Sequence, residues 1–143
     1  MILVDANLLI HATTPGLLQP KAAKWLEDQF WSAPRVGLPW AVLLAWLRLI
    51  TNRRIFAAPL PMDDAWSQVE EWLALESVWV PEPTERHAGI MRTLLKSGRV
   101  TDSNLIPDVH LAALAVEHGL ELCSTDGDFA RFRDVRWVNP LEK

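Results

Sequence analysis

Apolar runs too short to be helices alternate along this chain with longer segments of three- and four-residue apolar spacing, and that alternation restricts the fold to few classes. The strand candidates are residues 2 to 5, Val36 to Leu38, Val78 to Val80, 120 to 124 and Val135 to Val138. Helices are predicted over about Ala6 to Ala12, 20 to 32, Trp40 to Asn52, 62 to 76, Thr84 to Lys96 and 107 to 119. Pro20, Pro39 and Pro107 suit helix starts, and Gly119 a helix stop. Ala23, Leu26, Glu27 and Phe30 mark one face of the second helix, while Asp63 and Asp64 are read as caps of the fourth and Thr84 as the cap of the fifth. Strands alternating with helices predict an α/β fold of three layers, a central and mostly parallel sheet with helices on both faces. Without repeats or a dividing linker, residues 1–143 are expected to form one domain.

Acidic residues stand where strands meet helices. Asp5 ends Ile2-Leu3-Val4, Asp108 opens the helix from 107, and Asp126 and Asp128 follow Leu122-Cys123. From Asp108 to Gly119 the helix climbs roughly 18 Å. The strand from Glu121 to Thr125 returns about 16 Å, which brings Asp126 back to the level of Asp108. The carboxyl ends of parallel strands are also where open sheets bind ligands, so these acids are expected to converge on one edge. Asn7 and Thr125 lie beside Asp5 and Asp126 and can orient a carboxylate or a bound water. Each acid alone also has a plain reading as a helix cap or turn residue, so the functional case rests on their agreement.

Carboxylates gathered at neutral pH must take up protons or share cations. Oxygen donors without histidine or thiolate partners suit a hard ion, magnesium or manganese, and such a site can activate water in a phosphodiester displacement. A nuclease is the natural enzymatic reading. The formal charge of −4 argues against coating nucleic acid by bulk electrostatics, so any contact must be local. Arg48, Arg53 and Arg54 lie in an acid-free stretch and are candidates for phosphate contact, with a solvated helix end as the equal alternative.

The one cysteine, Cys123, offers neither a disulfide framework nor zinc-ligand spacing and predicts a reducing, cytoplasmic setting. No basic leader precedes the first apolar run, and no stretch is long enough to span a membrane. Of the eight tryptophans, Trp25, Trp46, Trp66 and Trp72 fall in helix-like segments where core packing is expected; partner binding and base stacking are the alternatives. His11, His87, His110 and His118 share no metal-ligand spacing and read as surface or packing residues, with His110 singled out by its nearness to Asp108.

Val4-Asp5-Ala6-Asn7, Pro39-Trp40 through Leu47-Arg48-Leu49, and Asn104-Leu105-Ile106-Pro107-Asp108 through Ser124-Thr125-Asp126-Gly127-Asp128-Phe129 together resemble a PIN domain, and more closely the VapC-type toxins of bacterial toxin-antitoxin pairs. The match runs nearly end to end, and the last motif is the most specific. The resemblance implies a magnesium- or manganese-dependent endoribonuclease that cleaves structured RNA, is neutralised by a VapB-type antitoxin and forms a homodimer. It makes Asp5, Asp108 and Asp126 the catalytic acids and metal ligands, with Asp128 an additional ligand. Asn7, Asn104 and Thr125 become supporting residues.

The second family acid is missing. Relatives carry a glutamate in the helix of the apolar-apolar-Arg pattern, directly after the tryptophan or one turn later, where this chain has Ala41 and Ala45; no acid occurs between Gln29 and Met62. An inactivating substitution and a natural member with weaker metal binding both explain the gap. Substitution at Ala41 is preferred, because alanine replaces glutamate there without disturbing the helix. The gap and the tryptophans also admit a catalytically silent PIN-fold binding module. A metal-dependent phosphatase or phosphotransfer domain is disfavoured, because no second aspartate follows Asp5 by two residues and no lysine follows a later strand.

Overall fold

Five short strands carry the structure, a computed structural model that describes residues 1–32 and 34–142: β1 (Ile2–Val4), β2 (Val36–Gly37), β3 (Val78–Trp79), β4 (Glu121–Cys123) and β5 (Trp137–Val138). All pair in parallel, in the order β3-β2-β1-β4-β5. Six helices connect them: α1 (Ala6–Thr13), α2 (Gln19–Ser32), α3 (Trp40–Ile50), α4 (Met62–Ala74), α5 (His87–Ser97) and α6 (Ile106–His118). Every residue of β1 is buried, as expected of a central parallel strand covered on both faces.

The strand order fixes the position of the site. The chain steps outward from β1 to β2 to β3, then crosses back to lay β4 on the other side of β1. Connections therefore leave in opposite directions from β1 and β4, and this reversal opens a crevice beyond their carboxyl ends. Asp5 follows β1 and Asp126 lies just beyond β4. Gly119 ends α6 at φ 65°, a left-handed conformation that favours glycine, and the Leu120 N–H donates back to the Ala115 carbonyl at 2.8 Å. That sharp stop lets β4 start at once and return to the level of the α6 N-terminus.

Several local expectations need correction. In α2 it is Ala22, with Leu26, that is buried, whereas Glu27 faces solvent; the apolar face is rotated by one residue. Asp63 and Asp64 occupy the first turn of α4 but make no capping hydrogen bond, since the cap position is Pro61. They act on the helix only through charge. Thr84 lies ahead of α5, which starts at His87, and its hydroxyl accepts from Arg86 N–H at 3.1 Å. Trp46 and Trp72 are core residues in edge-to-face contact at 4.8 Å, and Trp25 packs partly buried, but Trp66 is 40% exposed and stacks on Trp40.

Candidate active site

Asp5 leaves β1 in extended conformation and caps α1, its Oδ1 accepting from Ala6 N–H at 2.7 Å. Its other oxygen accepts from the Ser124 hydroxyl at 2.8 Å and from the Asn7 amide at 3.3 Å. Ser124, fully buried just past β4, uses its whole hydrogen-bonding capacity here. Besides donating to Asp5, its oxygen accepts from Asn7 Nδ2 and from Asp126 N–H, each at 3.0 Å. Thr125 N–H closes the ring by donating to Asn7 Oδ1 at 3.2 Å. The two central strands are thus joined at their carboxyl ends through side chains.

Asp126 begins a 3-10 turn over Gly127–Arg131, and its Oδ1 accepts from Asp128 N–H at 2.9 Å. Phe129 in that turn is fully buried and packs against Phe132, which anchors the two acids to the core. Asp108 projects from the first turn of α6. Carboxylate oxygens of Asp108, Asp126 and Asp128 lie within 4.8 Å of one another.

The charges have little compensation. Burial pushes the Asp5 carboxyl above its ordinary range, the Ser124 and Ala6 hydrogen bonds oppose this, and the Asp126 charge adds to it. Asp108 is pushed up to about 6, first by burial and then by Asp126, Asp5 and Asp128, with Arg131 alone pulling it down. Three carboxylates around one point, all hard oxygen donors, fit a divalent cation; such an ion relieves the repulsion that raises Asp108.

The other expected residues are placed less centrally. Asn104 sits in the 3-10 turn Ser103–Leu105, exposed, and its backbone N–H is bonded to Asp102. Thr125 contributes its backbone N–H rather than its hydroxyl. Arg48, Arg53 and Arg54 are exposed, without ion pairs among the described residues. No carboxylate from α3 joins the cluster: Ala41 is exposed in its first turn, and Ala45 packs partly buried against the core.

Sequence reasoning missed Ser124, Arg131 and Glu117. A lone hydroxyl ending an apolar strand was the available signal for Ser124. Glu117 was visible as an acid inside the apolar α6 run. It is 7% exposed, its Oε1 accepting from the Thr84 N–H and hydroxyl, both at 2.7 Å, and its Oε2 pairing with His87 Nδ1. Burial raises its proton affinity, but the His87 and Thr84 hydrogen bonds outweigh that and hold the carboxyl below its usual range.

A parallel sheet with carboxylates gathered at its switch point defines a class, and the PIN domain family model matches residues 2–135; the chain belongs to that family, among the VapC ribonucleases. It is 45% identical to Ribonuclease VapC37 of Mycobacterium tuberculosis over 98% of this chain and 97% of that one, and 41% identical to Ribonuclease VapC33 of the same organism over the full length of both. Among solved structures it resembles VapBC2 from Rickettsia felis bound to a promoter DNA fragment, with TM-score 0.70 and 14% identity over 97% of this chain and 98% of that one. VapBC-1 from nontypeable Haemophilus influenzae matches with TM-score 0.69 and 18% identity over 99% of this chain and all of that one. At these identities the structural likeness speaks for the fold.

Proposed function

We propose that this protein is a magnesium- or manganese-dependent endoribonuclease, the toxin of a type II toxin-antitoxin pair, acting on structured cellular RNA in the cytoplasm and neutralised by a VapB-type antitoxin. The observation that carries the reading is the convergence of Asp108, Asp126 and Asp128 oxygens within 4.8 Å at the switch point of the sheet, with the Asp5 charge near enough to raise Asp108. A bound divalent ion supplies charge neutralisation and lowers the proton affinity of a water for attack on phosphorus.

The residues divide the remaining work. Asp108, Asp126 and Asp128 would hold the ion, and Asp5, kept rigid by Ser124 and Asn7 and near enough for its charge to raise Asp108, would help to orient the attacking water. Arg48, Arg53, Arg54 and Asn104 are exposed and available to RNA phosphates. A homodimer bringing two such sites to one RNA is part of the proposal.

The alanines at 41 and 45 favour one second reading, a PIN fold that binds antitoxin without cutting RNA. Incubation of the antitoxin-free chain with total RNA, with Mn²⁺ or with chelator, separates the two. Cleavage that needs Mn²⁺ and is lost in Asp126→Asn supports the enzyme. Antitoxin binding without any cleavage establishes the binder.

A further inference from the structure

Beyond the acids, the carboxyl edge of the sheet holds a second built feature. A cleft of about 250 Å³ opens between the start of α3, the loop after β3 and the first turns of α6. Trp40, Ala41, Pro81, Pro83, His110 and Leu114 line it. Trp40 is 39% exposed and its ring is braced by Trp66, with centroids 6.3 Å apart and planes within 15°. His110 lies two residues after Asp108 on α6 and is tied through Nδ1 to His87 Nε2 at 3.1 Å. His87 is tied in turn to the buried Glu117.

Glu117 is satisfied by Thr84 and His87 alone, so His110 adds nothing to its solvation. What the chain of three does is fix the histidine. His87, held at Nδ1 by the buried Glu117 carboxylate, bonds His110 Nδ1 through its Nε2 and leaves His110 Nε2 as the remaining polar atom of that ring. That nitrogen has no partner among the described residues. Thr84 and the 2.6 Å bond from Arg86 to the Glu117 carbonyl hold the segment before α5 against α6, which keeps the relay in register.

We infer that this cleft is a nucleobase subsite, in which Trp40 stacks on one unpaired base of the RNA and His110, oriented by His87 and Glu117, hydrogen-bonds its edge. The inference rests on the ribonuclease reading and specifies how that site chooses its cut. The cleft falls below the roughly 300–1,000 Å³ of pockets for drug-sized ligands, which suits one planar base rather than a stretch of chain. An aromatic face beside a fixed hydrogen-bonding group is how single-stranded RNA bases are read.

The test uses the full antitoxin-free chain and a pool of RNA randomised in a loop, read by sequencing of cleaved ends in Mn²⁺. The wild type is expected to favour one base over another by about tenfold or more at one position beside the cut, the discrimination one or two base-edge hydrogen bonds supply. His110→Ala should flatten the preference at that position alone. Trp40→Ala should raise KM more than it lowers kcat, and Trp40→Phe should restore KM. An unchanged profile in His110→Ala, with Trp40→Ala weakening only the antitoxin complex, would overturn the proposal and assign the cleft to protein docking. If the wild type cuts nothing, the ribonuclease reading fails separately. The subsite is then judged from quenching of tryptophan fluorescence by short RNAs of each single base: a preference for one base that His110→Ala removes supports it, and equal quenching overturns it.

Discussion

Removing one charge from the acidic cluster should make the protein more stable while disabling it. Asp108 is pushed from 3.8 to about 6 by burial and by three neighbouring carboxylates. At about 1.4 kcal/mol per pH unit, that shift corresponds to roughly 3 kcal/mol of unfavourable free energy in the ionised folded state. Asp108 is only partly buried, so solvent screening reduces the figure to about 1–2 kcal/mol. Asp108→Asn keeps the shape and removes the charge, so it should raise the metal-free Tm by roughly 3–6 °C. Because the folded value lies above the unfolded one, the folded state holds this proton more tightly. The penalty is full above pH 6 and fades as pH falls from 6 towards 3.8. The advantage of the variant should therefore be largest near about pH 7.5 and vanish by about pH 4. Urea unfolding in chelator across that range measures it, and added Mn²⁺ should reverse the order by stabilising the wild type more. A variant no more stable than wild type at neutral pH, or an advantage that does not change with pH, would refute the reasoning.

Three further perturbations probe the frame of the site. Ser124→Ala strips donors and acceptors from Asp5, Asn7 and Asp126 in a fully buried position, so it should cost about 1–3 kcal/mol in chemical denaturation and lower kcat for RNA cleavage. Ala41→Glu should increase metal-dependent cleavage, because the side chain starts from an exposed first-turn position on the same sheet edge. Ala45→Glu, packed against the core, should chiefly lower Tm, and no gain of cleavage in either variant would remove position 41 as the site of the lost acid. Gly98→Ala would place a methyl 2.7 Å from Phe132 Cε1 and 2.9 Å from the Leu94 carbonyl, costing about 1–3 kcal/mol of stability by denaturant titration.

Much of the architecture was legible because its signals are local. Pro107, the apolar run to Val116 and Gly119 set the limits of α6 within one residue, and the strand that follows had to return to the level of Asp108. Strand ends were read too long, as at Val78–Trp79 and Trp137–Val138, because apolar composition continues past the last ladder hydrogen bond. The α2 face was misplaced because Ala22 and Ala23 are indistinguishable by composition, and only packing decides which is buried. Asp5 and Asp126 were placed by their positions just past strands, whereas Asp108 opens a helix that follows a 3-10 turn and was placed by the lengths of that helix and of the strand returning beside it. Ser124 and the Glu117–His87–His110 chain were missed, since their meaning depends on contacts between residues 23 to 119 positions apart that no local spacing encodes. The tryptophans divide in the same way: Trp46 and Trp72 fill the core as periodicity implied, while Trp40 and Trp66 form an exposed stack that periodicity alone could not separate from them.

Anomalous diffraction at the manganese edge from crystals soaked in Mn²⁺ tests the central claim most directly. The account predicts a peak bounded by carboxylate oxygens of Asp108, Asp126 and Asp128, with Asp5 facing it directly or through water. The same peak should be absent from Asp126→Asn crystals. A saturating soak that leaves those acids without a peak, or places the ion elsewhere on the surface, would contradict the account.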